Sequence, residues 1–199
     1  MMIVLITVAI VIGILLLVLL FKGLESFDFT FESQKRRAGR RGEEIAANII
    51  KGVLRPDDNI FTNVKFVFDG RPAELDAVVV NKFGVFIFEV KNYSGTLVGG
   101  EDDFEWQKYK MTDAGNIYTK TVKNPIKQVK RQVYLLANYL DYYGKKVWVD
   151  GYAILVQGNC SVHSNLVISS VTELDRVIHT HARNRLTQKD VNQIVNIIK

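Results

Sequence analysis

Three charged residues, Asp76, Glu89 and Lys91, stand beside apolar runs that are typical of buried β-strands. Glu89 and Lys91 directly follow the run VFIF, and in a strand their side chains would point to the same face. Charged side chains are rarely buried without a partner, so this placement needs a physical reason. One reason is a simple surface ion pair, which is common and contributes little stability.

A carboxylate on the preceding strand suggests a second reason. The stretch AELDAVVV carries Asp76, and a turn at residues 81–84 separates it from the strand that carries Glu89. If the two strands form a hairpin about residues 82–83, Asp76 lies opposite Glu89. Adjacent carboxylates repel each other unless a cation neutralises them, and their oxygens suit a hard ion such as Mg²⁺. The spacing therefore predicts a metal site.

A third carboxylate, from Glu43 or Glu44, is available at the start of a predicted helix. The apolar stripe that predicts the buried side of this helix consists of Ile45, Ile49 and Val53. Three carboxylates could hold one or two metal ions and activate a water molecule. Lys91 could orient the nucleophile or stabilise negative charge in the transition state.

The elements that must position these residues follow from periodicity and turn signals. A helix begins at Gly39, and short strand-like runs separated by turns follow it up to residue 123. Asn124 and Pro125 begin a long helix, after which come two strands and two helices with Thr172 and Thr187 as N-caps. This order predicts an α/β domain of three layers around a mixed sheet, over residues 39–199.

The N-terminal segment has a different composition. Residues 2–21 carry no charge, and an apolar helix of this length spans a bilayer core. A cleaved signal peptide is the alternative, but no basic residue precedes the run. We predict a transmembrane anchor at residues 1–22 and a basic juxtamembrane linker at 23–38. The basic residues that follow the run place the C-terminal domain in the cytosol, in a single-pass protein of the cell membrane.

A second basic region lies inside the domain. Between residues 108 and 131 there are seven basic residues and one acid, Asp113. The basic residues are Lys108, Lys110, Lys120, Lys123, Lys127, Lys130 and Arg131. They could bind nucleic-acid phosphates, or they could form a solvated helix face and a lysine-protected strand edge.

Four stretches together resemble the nuclease-related domain (NERD) family of the PD-(D/E)xK nuclease superfamily. They are GRRGEEIAANIIKGVL, AELDAVVVNKFGVFIFEVKNYSG, the tryptophan of FEWQ, and NPIKQVKRQVYLL. The residues that correspond to the family's conserved positions are Glu43, Asp76, Glu89, Lys91 and Gln128. Leu75 departs from the superfamily pattern, which has proline there. Gln128 is either a hydrogen-bonding group near the site or a satisfied core amide.

The resemblance implies a restriction-endonuclease-like fold and metal-dependent cleavage of DNA. Asp76, Glu89 and the backbone carbonyl of Val90 would bind Mg²⁺ or Mn²⁺, and Glu43 would complete the site or bind a second ion. Lys91 would position the attacking water or steady the phosphate. Two other functions remain open: a non-catalytic binding module of the same fold, and a structural membrane protein in which Glu89 and Lys91 form an ion pair.

Overall fold

The computed structural model describes residues 39–162, 164–180 and 185–199. Residues Arg41–Lys199 form one compact unit, and nearly all of the other unit, Met1–Arg40, lies outside the described residues. The predicted anchor at 1–22 and the predicted linker at 23–38 lie outside them as well. Within the part of the chain that the structure describes, no helix is long and apolar enough to cross a membrane.

Helices occupy four segments of the described chain. They are α1 (residues 39–53), α2 (Pro125–Tyr142), α3 (Val171–His179) and α4 (Gln188–Ile198). The start of α2 agrees with the prediction, because the Asn124 side chain accepts a hydrogen bond from the Ile126 N–H at 2.8 Å. Thr187 caps α4 as predicted, whereas the N-cap of α3 is Ser170 and not Thr172.

A mixed five-stranded sheet forms the centre of the domain. Its strands are β1 (Asn59–Phe68), β2 (Arg71–Asn81), β3 (Gly84–Lys91), β7 (Val149–Leu155) and β9 (Val167–Ile168), in the order β1-β2-β3-β7-β9. The first three strands are antiparallel neighbours, while β7 runs parallel to both β3 and β9. The two-residue turn Asp69–Gly70 joins β1 to β2, with φ of 51° and 68° at its two positions.

A second sheet has four strands, which come from the chain between β3 and β7 and between β7 and β9. It contains β4 (Gly95–Val98), β5 (Glu105–Met111), β6 (Ile117–Lys123) and β8 (Gly158–Cys160), in the order β6-β5-β4-β8. The sequence predicted β4, β5 and β6, but neither β8 nor the separation of these strands into another sheet. Gly95 marks the break after β3: its φ is 102°, and a side chain there would lie 2.3 Å from the carbonyl oxygen of Tyr109.

Helices cover both faces of the five-stranded sheet. On one face, Ile50 of α1 and the apolar side of α3 pack against Phe88. On the other face, Leu136 of α2 and the apolar side of α4 pack against Ile87. The central strand β3 is buried on both faces, which explains its continuous apolar run. The predicted three-layer α/β core around a mixed sheet is therefore confirmed.

The buried face of α1 differs from the predicted stripe. Ala46 and Ile50 are fully buried, whereas Ile45 is 36% exposed. Gly42 lies so close to the end of the sheet that a Cβ there would meet the Cβ of Asn92 at 2.6 Å. Because small residues allow this close approach, the helix turns its glycine and alanine inward, and a stripe chosen from large apolar residues was wrong in part.

Candidate active site

The hairpin of β2 and β3 has the register that the sequence predicts. Its antiparallel pairs run from Asn81–Gly84 to Ala77–Phe88, so Asp76 and Glu89 hold the next opposed positions. Beyond the last pair, Asp76 Oδ2 accepts a hydrogen bond from the Val90 N–H at 2.7 Å. A side-chain carboxylate thus replaces a backbone acceptor at the point where the two strands separate.

Asp76 lies where the side-chain alternation of β2 is interrupted. Leu75 and Val78 pack in the same apolar layer, although strict alternation would place them on opposite faces. The residue across from Asp76 on β1 is Asn63, whose φ is 54°. The interruption leaves Asp76 between the two faces of the sheet, where its carboxylate reaches the backbone of β3.

Glu89 is buried and both of its carboxylate oxygens have partners. The side chain is 1% exposed, while that of Lys91 is 20% exposed. Oε1 accepts a hydrogen bond from Lys91 Nζ, and Oε2 accepts one from Gln132 Nε2 at 2.6 Å. These charge-assisted contacts fix the carboxylate.

Gln132 connects α2 to the site. Its amide nitrogen also donates to the carbonyl oxygen of Glu74 at 3.0 Å, so both amide protons are used. A turned-over amide would place its oxygen against two acceptors, so the contacts determine the orientation. Gln132 Oε1 is buried and has no hydrogen-bond partner among the described residues. A bound water molecule or a donor from a ligand would satisfy it.

The predicted glutamine, Gln128, lies one helical turn before Gln132 and is half-buried in the wall of a surface cleft. Gln132, which was not among the predicted site residues, therefore makes the contact with Glu89. Gln132 falls within the buried stripe of α2, between Val129 and Leu136. A polar residue at the centre of an apolar helix face was the signal that could have identified it.

Glu43 approaches the site through the close contact between α1 and the end of β3. It is half-buried and follows Gly42, which packs against Asn92, whereas Glu44 is exposed. The negative charge of Glu43 acts on Asp76 and contributes to the rise in the Asp76 pKa. Of the two glutamates that the sequence offered, Glu43 is the one near the other carboxylates.

The electrostatics of Asp76 and Lys91 differ. Burial, followed by repulsion from Glu89, raises the pKa of Asp76 to about 7, against the opposing effects of the Val90 N–H and Lys91. Burial alone would lower the pKa of Lys91, but attraction to the Glu89 carboxylate outweighs it and raises that pKa above its ordinary value. Lys91 therefore keeps its positive charge at neutral pH.

Asp76 and Glu89 offer carboxylate oxygens, which are the donor atoms that a hard divalent ion prefers. Among the described residues, no three His, Cys, Asp or Glu side chains are close enough together to hold a metal ion. Asp76 and Glu89 remain as adjacent oxygen donors, and Mg²⁺ is commonly held by one or two carboxylates and water. The Val90 carbonyl faces the same edge of β3 as its N–H, which donates to Asp76.

The predicted nucleic-acid-binding residues fall into two groups. Lys108, Lys110 and Lys120 lie on the β5–β6 hairpin, and Lys123, Lys127, Lys130 and Arg131 lie at the end of β6 and on α2. In the second group, Lys130 forms an ion pair with Glu101 at 2.8 Å, and Lys127 Nζ lies 3.8 Å from the ring centroid of Phe104. An open cleft of about 590 Å³ separates α2 from the end of β6.

Fold and site together define an α/β domain with the carboxylate and lysine pattern of PD-(D/E)xK proteins. Residues 38–156 match the family model of the nuclease-related domain, NERD, and the chain belongs to this family. The matched range includes Asp76, Glu89, Lys91 and Gln132. Assignment of the chain to the PD-(D/E)xK superfamily is consistent with this family. A comparison with curated proteins found no match, and a comparison with solved structures found none.

Proposed function

We propose that the domain hydrolyses phosphodiester bonds of DNA with the help of Mg²⁺ or Mn²⁺. The observation that carries this proposal is the pair of adjacent carboxylates, Asp76 and Glu89, next to the charged Lys91. Glu89 is 1% exposed and the pKa of Asp76 is raised to about 7, so the single positive charge of Lys91 does not offset both carboxylates. Membership in a nuclease-related family supports the same reaction class.

Each residue has a role that follows from its contacts. Asp76, Glu89 and the Val90 carbonyl would hold the ion, which would polarise the phosphate and favour ionisation of water. Lys91 stays protonated, so it stabilises negative charge on the phosphate and does not act as a base. Water forms a bond to phosphorus, one ester P–O bond breaks, and the departing alkoxide takes up the proton that the water gives up.

Two further residues support this arrangement. Gln132 holds Glu89 in place through its amide nitrogen, and its buried oxygen is positioned to accept a hydrogen bond from water in the site. Glu43 adds a negative charge near Asp76, which strengthens attraction for a cation. We assign Gln132 the positioning role for which the sequence had suggested Gln128.

A cleavage assay tests the proposal directly. The whole chain, purified in detergent, is incubated with plasmid DNA and with single-stranded DNA in Mg²⁺, Mn²⁺ or EDTA. We expect cleavage with either ion and none in EDTA. Asp76→Ala and Lys91→Ala should lose activity, whereas Asp141→Ala, at an exposed position on α2, should keep it. Equal activity in wild type and Asp76→Ala would exclude the proposed site.

The competing candidate is a non-catalytic module of the same fold. The observation that favours it is that both Glu89 oxygens already have partners, Lys91 and Gln132. Calorimetric titration with Mg²⁺ and Mn²⁺ separates the two functions. The nuclease requires ion binding that Asp76→Ala abolishes, whereas a chain that binds DNA and takes up no ion would be the non-catalytic module.

We also propose that residues 2–21 anchor the domain at the cell membrane with its C-terminal part in the cytosol. The support is the uncharged apolar run and the basic residues that follow it. Alkaline carbonate extraction should leave the whole chain in the membrane fraction and release a chain that lacks residues 1–22. Release of the whole chain by carbonate would contradict the anchor.

A further inference from the structure

The β5–β6 hairpin forms one edge of the four-stranded sheet and is largely exposed. Seven residue pairs join its strands, from Glu105–Lys123 to Met111–Ile117. Its base is anchored where Trp106 is fully buried and its partner Val122 is half-buried in the same apolar cluster, and Gln107–Tyr109 of β5 pair with β4. Apart from Val122, all residues of β6 are exposed. The hairpin therefore presents β6 and the far end of β5 to a partner.

One face of this hairpin carries three lysines, Lys108, Lys110 and Lys120, which we call the lysine face. Lys108 and Lys120 are directly opposite each other, and Lys110 lies two residues further along the same face. Like charges in opposed positions destabilise a sheet. Burial together with the charges of Lys120 and Lys110 lowers the pKa of Lys108. An anionic partner would relieve this repulsion.

The β1–β2 hairpin shows the usual arrangement by contrast. There, Lys65 stands opposite Glu74, and the two side chains form an ion pair at 3.1 Å. The opposed pair of Lys108 and Lys120 is thus not a general property of hairpins in this chain. A solvated, lysine-protected edge explains an exposed lysine, but it does not explain two lysines in opposed positions.

The lysine face is continuous with the candidate active site. Lys108 Nζ lies 5.9 Å from the ring centroid of Tyr93, which follows Lys91 by two residues. Burial raises the pKa of Tyr93, and the charges of Lys91 and Glu89 both act on its hydroxyl. A polyanion that lies along the lysine face would therefore lead towards the two carboxylates.

The last pair of the hairpin ladder, next to the turn of residues 112–116, is apolar and lies on the face opposite to the lysine face. Met111 and Ile117 form its last pair, and they are 71% and 68% exposed. We call these two residues the apolar tip. Exposed aliphatic side chains next to basic ones are found in proteins that press apolar wedges against base steps of duplex DNA. The charge next to the tip favours a polyanion over an apolar protein surface as the partner.

We propose that the β5–β6 hairpin is a duplex-DNA-binding arm, in which the lysine face contacts backbone phosphates and the apolar tip contacts the bases. This inference rests on the proposed function, because it assigns the substrate's position at that site. The proposal also gives the predicted basic residues different roles. None of the three lysines of the lysine face stands opposite an acid in the hairpin, whereas Lys130 on α2 pairs with Glu101.

The first experiment measures binding of the whole chain to a fluorescent DNA duplex by anisotropy, in EDTA so that no cleavage occurs. The triple variant of the lysine face, with each lysine changed to glutamine, should bind at least tenfold more weakly at about 0.1 M salt. The slope of log K against log salt should fall by about 0.9 for each lost phosphate contact. The control changes three exposed lysines elsewhere, Lys51, Lys146 and Lys189, to glutamine and removes the same charge.

The second experiment concerns the apolar tip. The double variant M111S/I117S should bind the duplex several-fold more weakly with an unchanged salt slope. It should also lose the rise in 2-aminopurine fluorescence that accompanies unstacking of a base step in the duplex. Val67→Ser is the matched control, because Val67 is 63% exposed on the other hairpin.

The outcomes distinguish this inference from the proposed function. The proposed DNA-binding arm is contradicted if the control triple variant loses as much affinity as the lysine-face variant, or if the tip variant keeps the fluorescence change. This holds even when the chain cleaves DNA. If the arm variants lose DNA binding and the wild-type chain cleaves no DNA, the DNA-binding arm is supported and the proposed nuclease activity is contradicted. Binding of phosphatidylserine and phosphatidylcholine vesicles in place of DNA would overturn the arm in favour of a membrane contact.

Discussion

Gln132 of α2 donates a hydrogen bond to Glu89 of β3 at 2.6 Å, deep inside the domain. The same amide nitrogen donates to the Glu74 carbonyl of β2. One side chain on a helix thus joins two neighbouring strands at the point where Asp76 and Glu89 face each other. The geometry of the carboxylate pair depends on how α2 packs on the sheet.

Replacing Gln132 by leucine should affect both stability and activity. The change leaves Glu89 Oε2 buried without its donor, which we expect to cost about 1–3 kcal/mol in the free energy of unfolding. Urea unfolding and the cleavage assay would measure the two effects. Gln128→Leu, one turn away, tests the competing assignment. A larger loss of activity in Gln128→Leu than in Gln132→Leu would contradict the role given to Gln132.

Asp76→Asn should change how stability depends on pH. The pKa of Asp76 is raised from 3.8 to about 7, so the folded chain holds a proton that the unfolded chain has lost between these values. The wild-type free energy of unfolding should therefore fall by a few kcal/mol as pH rises from about 4 to about 7. Asp76→Asn should lack this decrease.

Urea unfolding at pH 5 and pH 8 provides the measurement for Asp76→Asn, with Asp141→Asn as an exposed control. Mg²⁺ should restore the stability of the wild type at pH 8 but not that of Asp76→Asn, because an ion bound to the folded chain stabilises it. Identical pH slopes in wild type and Asp76→Asn would show that Asp76 is not perturbed as described.

Two glycines of α1 offer a matched comparison. In Gly42→Ala the new methyl group would meet the Asn92 Cβ at 2.6 Å, whereas at Gly52 nothing lies within 4 Å. We expect Gly42→Ala to cost about 1–3 kcal/mol and to reduce activity by displacing Glu43. Gly52→Ala should gain up to about 1 kcal/mol. Thermal unfolding and cleavage rates of the two variants would show whether the close approach of α1 matters.

His179 and Asp58 form a buried contact far from the carboxylate pair. His179 Nε2 lies 2.9 Å from Asp58 Oδ2, and the side chains are 1% and 4% exposed. Burial opposes the charge of Asp58, but the contact with His179 lowers its pKa overall. The stability from this carboxylate is present above its ordinary pKa of 3.8 and is lost as pH falls through the lower folded value.

Asp58→Asn should therefore lower the free energy of unfolding at pH 7 by about 2 kcal/mol and weaken its dependence on pH in acid. Asp57→Asn, at the exposed neighbouring position, is the control. Urea unfolding from pH 3 to pH 7 measures both variants. A loss in Asp58→Asn no greater than that in Asp57→Asn would show that the buried contact contributes nothing.

The features that local sequence determines were predictable. The turn at residues 81–84 and the two apolar runs determine the β2–β3 register, which brings Asp76 opposite Glu89. Capping residues located the starts of α2 and α4, at Asn124 and Thr187. In these cases the chemistry that specifies the structure lies within a few residues of it.

The features that depend on distant packing were not predictable in the same way. The separation of the strands into two sheets depends on which strands pair across the chain, and periodicity carries no such information. The burial of Gly42 and Ala46, in place of Ile45, follows from how closely α1 approaches the sheet. The interruption at Asp76 depends on the conformation of Asn63 on another strand.

The contacts of the carboxylate pair also differ in how far along the chain they reach. Val90 and Asp76 are 14 residues apart, whereas Gln132 and Glu89 are separated by 43. Because the entropy lost on loop closure grows with loop length, the hairpin contact is less costly to form, and the two carboxylates can meet before α2 arrives. Repulsion between them would then slow folding. We expect stopped-flow refolding to accelerate as pH falls from 8 to 6, and this acceleration to be absent in Asp76→Asn.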